Sequence, residues 1–123
     1  DHFLFTGFRS DSEAISKNFD IFCLPSFSEG FSSAILAAMA NRLPVVATKV
    51  GGTTELVLDS KTGLLVPPRE AASLSTALLK LLGSPKMRIQ MGVAGRKRVE
   101  QYFSLEKKLD ETERLYCKLL GYA

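Results

Sequence analysis

Histidine occurs once in these 123 residues, cysteine twice and tryptophan not at all. Cys23 lies in an apolar run and Cys117 in a late helical pattern, with no metal-ligand spacing around either. The pair reads as buried or half-buried thiols of a reducing compartment, which excludes a zinc module and a disulfide frame. His2 sits at the start of an apolar stretch and reads as a packing or exposed residue, without a catalytic partner nearby. No apolar run is long enough to span a bilayer. The opening DHFLFTG lacks the charged start and cleavage pattern of a secretory leader. It also lacks an initiator Met and begins inside what reads as a strand, so a longer parent protein is expected. An excess of charge is missing too: 16 Lys and Arg face 13 Asp and Glu, a net +3. That balance suits an anionic ligand without demanding nucleic acid. With 46% apolar and 24% charged residues, the composition is that of one ordinary globular domain with a single core.

What is present alternates. HFLFT (2–6), DIFCL (20–24), PVVAT (44–48) and GLLVP (63–67) are short, nearly continuous apolar runs bounded by Gly, Pro or Asp. Strands buried on both faces look like this. Helical stretches lie between them at 11–19, 31–41 and 53–59. Strand-helix alternation predicts an α/β fold with a parallel sheet of about four strands flanked by helices, Rossmann-like, with right-handed crossovers. Past residue 68 the strands stop. Leu74, Leu78, Leu81 and Leu82 mark an amphipathic helix ended by Gly83. Pro85 suits the first turn of the next helix, to about Phe103. Ser104 is placed to cap a last helix, 104–120, so the unit carries a helical C-terminal tail.

Ligands of open α/β sheets bind beyond the carboxyl ends of the strands. Three loops should open there: Thr6-Gly7-Phe8-Arg9, Pro25-Ser26-Phe27-Ser28-Glu29-Gly30, and Lys49-Val50-Gly51-Gly52-Thr53. Free amides at the start of the 31–41 helix offer an anion site, with Gly30 allowing close approach and Ser32 and Ser33 adding hydroxyls. A carboxylate at Glu29 opposes a bare phosphate but suits a ligand that also carries hydroxyls, as a sugar phosphate does. The plainer reading is that Glu29 complements the helix dipole, worth about 0.3–1 kcal/mol.

The run LPSFSEGF…LAAMANRLPVVATKVGGTTELV…KTGLLVPP resembles the C-terminal donor-binding domain of retaining glycosyltransferases with the GT-B fold, family 4 (glycosyl transferases group 1). The resemblance covers essentially the whole chain, residues 1–123, as a single, truncated nucleotide-sugar-binding domain. It implies a nucleobase near Gly7, Phe8 and Arg9 and a diphosphate at the backbone of Gly30, Phe31 and Ser32, with Ser28 and Ser33 close by. It implies that Glu29, the first carboxylate of a Glu-x7-Glu motif, holds the hydroxyls of the transferred sugar. The second carboxylate of that motif, which would take the ribose hydroxyls, falls on Ala37. A methyl group cannot accept them, a loss of roughly 1.5–3 kcal/mol of donor binding. Arg42 likewise stands where a glycine with a left-handed cap is usual.

By the same resemblance no metal or other cofactor is expected, the nucleotide-diphosphate sugar being a substrate. The acceptor, a glycan or lipid-linked, would be met by a missing N-terminal domain, onto which helix 104–120 would dock with an exposed apolar stripe. A cytoplasmic location is implied, compatible with peripheral contact at the inner face of the membrane, and no nucleic-acid partner. The alternative is a catalytically degenerate binding or scaffold module that kept the fold and lost the second carboxylate. Among other features, Gly95-Arg96-Lys97-Arg98 reads as a solvated helix face, since it is short and lacks interleaved aromatics. Lys49 suits a phosphate contact or plain exposure equally, Glu55 the dipole of a helix start, and Gly51-Gly52 either a close approach to the ligand or a turn.

Overall fold

The computed structural model describes residues 2–122. These form three parallel strands, β1 (Phe22–Leu24), β2 (Val45–Thr48) and β3 (Gly63–Val66), in the order β1-β2-β3. Val46 lies in register with Cys23 on one side and Leu64 on the other. Helices α1 (Ser12–Ser16), α2 (Ser33–Ala40) and α3 (Thr53–Leu56) alternate with the strands, and α4 (Ala71–Leu82), α5 (Pro85–Tyr102) and α6 (Leu105–Leu120) follow them.

The strand expected over 2–6 does not form. Phe3, Leu4 and Phe5 are 84%, 87% and 93% exposed, and the segment pairs with none of the three strands. An apolar run becomes a strand only where a neighbour satisfies its backbone groups, and no described residue offers that here. The sheet therefore has three strands where about four were expected.

β2 is the centre. All four of its residues are buried, so Val45-Val46-Ala47-Thr48 packs on both faces at once. Val45 and Ala47 join Ile35, Met39, Leu56 and Val57 on the face covered by α2 and α3. Val46 joins Leu64, Val66, Ala77 and Leu81 under α4. Each buried Val, Leu, Ile or Met among them contributes about 1.5–3 kcal/mol by leaving water. α5 ties the two layers together: Met91 belongs to the α4 face, whereas Val99 and Phe103 pack on the α2 face. Gly92 and Gly95 let it come close. A Cβ on Gly92 would overlap the Arg42 carbonyl, and Gly95 faces Met39.

The arginines of α5 act inward. Arg88 donates to the Leu81 and Leu82 carbonyls at 2.8 and 3.0 Å, Arg96 to Ala40 at 2.7 Å, and Arg98 to Leu56 and Glu55 at 2.9 and 2.7 Å. Those are the last carbonyls of α4, α2 and α3, which have no partner within their own helices. A cation there also complements the helix dipole. The solvated face expected for residues 95–98 is thus corrected for Arg96 and Arg98, which are half-buried; of the three cations Lys97 is the exposed one.

Ser84 and Ser104 cap α5 and α6 by accepting from Met87 and Lys107, and Pro85 takes the first turn of α5. α6 buries none of its residues. Leu105, Leu109, Leu115, Leu119 and Leu120 are between 56% and 72% exposed.

Candidate functional site

Parallel strands with alternating helices put the loops after β1 and β2 on one edge of the sheet. The first, Pro25 to Ser32, leads into α2. Ser32 is buried, and its hydroxyl oxygen accepts from the Ile35 amide at 3.4 Å, an N-cap worth about 1 kcal/mol. Ser32 was expected to face a ligand as a donor; its oxygen accepts from its own helix, which leaves its O–H as a donor. The amides of Ser33 and Ala34 stay available at the mouth of α2.

Glu29 is half-buried on this loop, and Ser26 donates to its Oε2 at 3.2 Å. Thr48, the last residue of β2, donates to the Ser26 carbonyl at 2.5 Å and so pins the base of the loop to the central strand. The second loop locks it from the other side. Gly52 donates its backbone N–H to the Glu29 carbonyl at 3.3 Å. Gly51 has φ +45, and a Cβ there would overlap that same carbonyl oxygen; a Cβ on Gly52 would overlap the Gly30 carbonyl. The Gly51-Gly52 pair is therefore the seat on which Glu29 and Gly30 rest, a role sequence reasoning missed. The pair of glycines was the available signal, but it could not say which backbone would approach.

A third support comes from far along the chain. The Phe31 ring meets Phe103 at 5.7 Å between centroids, and the Arg98 guanidinium stands 5.4 Å from the Phe103 ring. Phe31 thus anchors the loop to the end of α5 while Gly30 beside it stays open, with nothing near its hypothetical Cβ. No local pattern could have linked positions 31 and 103.

Gly30, Phe31, Ser32, Ser33, Ser28 and Glu29 are brought together at one loop. Gly7, Phe8 and Arg9 are not joined to them: among the described residues, no hydrogen bond, ion pair or ring contact links residues 2–11 to this loop. Gly7 has φ +64 and Phe8 is 97% exposed. Arg9 is occupied by Asp11 at 2.8 and 2.7 Å, a forked pairing that holds the Asp11 carboxyl below its ordinary range. Ala37 is exposed at the start of the second turn of α2. It lines a cavity of about 240 Å³ together with Ser12, Ser16, Phe22, Ala34 and Ala38. Arg42 has φ +60, so the left-handed cap expected after α2 is present and carried by an arginine. Lys49 is exposed, and Glu55 lies in the first turn of α3. Among the described residues no group of three His, Cys, Asp or Glu could hold a metal ion, and no helix is long and apolar enough to cross a membrane.

The sequence model of the family described as glycosyl transferases group 1 matches residues 1–98. A capsular polysaccharide biosynthesis glycosyltransferase, CapM of Staphylococcus aureus, is 32% identical over 111 residues, which is 90% of this chain and 29% of that protein. Among solved structures, a sucrose-phosphate synthase from Thermosynechococcus elongatus superposes with a TM-score of 0.80 at 35% identity. It covers 85% of this chain and 26% of its own. Anabaena Alr3699/HepE in complex with UDP gives 0.83 at 27% identity, over 89% of this chain and 31% of its own. The chain spans about a third or less of each of these proteins. It belongs to the glycosyl transferases group 1 family, and its fold is that of a C-terminal portion of the GT-B enzymes.

Proposed function

We propose that this member of the family is the donor-binding part of a retaining glycosyltransferase, holding a nucleotide-diphosphate sugar at the Pro25–Ser33 loop. The observation that carries the reading is the placement of Glu29. Its carboxylate is oriented by Ser26, and its backbone is fixed by Gly52 beside the open amides of α2. Amides suit a diphosphate, and a carboxylate suits the hydroxyls of the sugar beyond it. The solved neighbour Anabaena Alr3699/HepE holds UDP on the same fold, which supports a nucleotide ligand here. No metal enters this reading, in which the amides at the mouth of α2 take the diphosphate. Transfer itself, with retention at the anomeric carbon, would need the acceptor side, a glycan or lipid-linked molecule bound by a separate domain. α6, with its exposed stripe, would pack against that domain.

Ala37 favours a second reading, a binding or scaffold module without turnover, since its methyl group cannot accept the hydroxyls of a ribose. Titration of the ¹⁵N-labelled 123-residue chain tests the donor binding that the first reading requires. UDP-, GDP- and ADP-sugars should shift the amides of residues 29–33 for one nucleotide. Glu29→Gln should weaken that nucleotide sugar about tenfold or more, equivalent to roughly 1.5–3 kcal/mol, and leave the bare nucleotide diphosphate unchanged. Equal weakening of both, or silence at millimolar ligand, would remove the donor assignment from Glu29.

A further inference from the structure

A crevice of about 230 Å³ lies at the carboxyl edge of the sheet, lined in part by the loop that carries Glu29. Pro25, Thr48, Val66, Pro67 and Leu74 contribute to it, and Phe27 and Arg69 stand together across it. Arg69 follows Pro67-Pro68 and has φ +63, a left-handed backbone that favours glycine. Phe27 is 73% exposed, and the Arg69 guanidinium is held 5.6 Å from its ring centroid. Among the described residues Arg69 has no carboxylate partner and its side chain makes no hydrogen bond, so its N–H donors are open to a ligand while its guanidinium carbon lies over the ring.

The remaining lining narrows the chemistry. Thr48 already donates to the Ser26 carbonyl, which leaves the floor mostly apolar. Glu70, beside Arg69, accepts from Ser73 at 2.6 Å through Oε2, and its second oxygen carries no bond among the described residues. A bare anion is opposed by that carboxylate. A ligand with an anionic group for Arg69, hydroxyls for Glu70 and an apolar face for Phe27 satisfies all three. We propose that this crevice binds one anionic sugar unit, a uronate or a sugar phosphate. Its size fits a single ring rather than a whole substrate. Phe27 lies two residues from Glu29, so the unit would sit next to the donor sugar as part of the acceptor. That role rests on the reading of Glu29 given above; the binding does not.

The test uses the ¹⁵N-labelled 123-residue chain without nucleotide, with glucuronate and glucose 1-phosphate as probes and glucose and inorganic phosphate as controls. The amides of Phe27, Arg69, Glu70 and Ala71 should shift with an anionic sugar and not with either control. A response to only one of the two anionic sugars supports the proposal and identifies the anion. Arg69→Gly removes the guanidinium and relieves the left-handed backbone. It should keep or raise Tm and weaken binding at least tenfold. Silence with both anionic sugars, equal shifts with glucose or phosphate, unchanged binding by Arg69→Gly, or a lowered Tm in that variant would each overturn the proposal. Because no probe carries a nucleotide, these outcomes are independent of those at residues 29–33.

Discussion

The two outer strands of the sheet are equally apolar, yet their free edges are finished differently. In β3 the residues whose backbone faces away from β2 are Gly63 and Leu65, because Val66 accepts from Lys49 on the inner side. Both are answered by the loop just before the strand: Ser60 donates to the Gly63 carbonyl at 2.8 Å, and the Asp59 carboxylate accepts from the Leu65 amide at 2.9 Å. The next outward residue, Pro67, has no N–H to offer. In β1, Phe22 donates inward to Pro44, so the backbone of Cys23 faces out, and all three strand residues are only half-buried. Cavities lie on both faces of it, one lined by Phe22, Ala34 and Ala37, the other by Ile21, Cys23 and Leu78. A protein manages its exposed edges. The β3 edge is managed by the chain itself, whereas the β1 edge has no such device among the described residues.

The contrast can be broken most severely at Gly63. A Cβ there would overlap the Val45 carbonyl and crowd Val57, so Gly63→Val should cost about 3 kcal/mol in urea unfolding. A loss below about 1 kcal/mol would mean that the register of β3 against β2 is looser than described. Asp59→Ala is the more selective change. It should lower stability by about 1 kcal/mol and, by freeing the Leu65 amide, produce concentration-dependent association in sedimentation. A variant that stays monomeric with unaltered exchange at Leu65 would show that Asp59 does not close this edge.

The smallest effect is expected at Cys23. Burial raises its thiol pKa above the ordinary value of 9.0. The folded state then holds its proton more tightly than the unfolded one. The corresponding stability is present below pH 9.0 and is lost as pH rises through the folded value. Alkylation at pH 8 should be slower in the folded chain than in urea. Equal rates would show that β1 opens as readily as it is exposed.

Legibility in the sequence followed the range of the interactions. β2 and β3 were readable because a strand buried on both faces shows as an uninterrupted apolar run, and the cap Ser104 because its partner lies three residues away. The run at 2–6 has the same local look as β2 and forms no strand, since a strand is completed by a neighbour and not by its own composition. Arg96 and Arg98 looked like surface charge for the same reason: the carbonyls they serve lie 56 and 42 residues away. At the candidate site, the sequence pointed to Glu29, Gly30 and the start of α2. It did not disclose that Gly51-Gly52 is their seat or that Phe103 holds Phe31.

By itself, then, the sequence determined the α/β alternation, the order of helices and strands, and the loop at which a carboxylate meets a helix mouth. Hydrophobic periodicity and capping act within a few residues, and a reader of the chain has all of their terms. Only the tertiary structure decided which apolar runs found partners, which arginines close helix ends, and that Phe27 and Arg69 share a crevice. Those outcomes depend on distances between residues far apart in the chain, which packing alone sets.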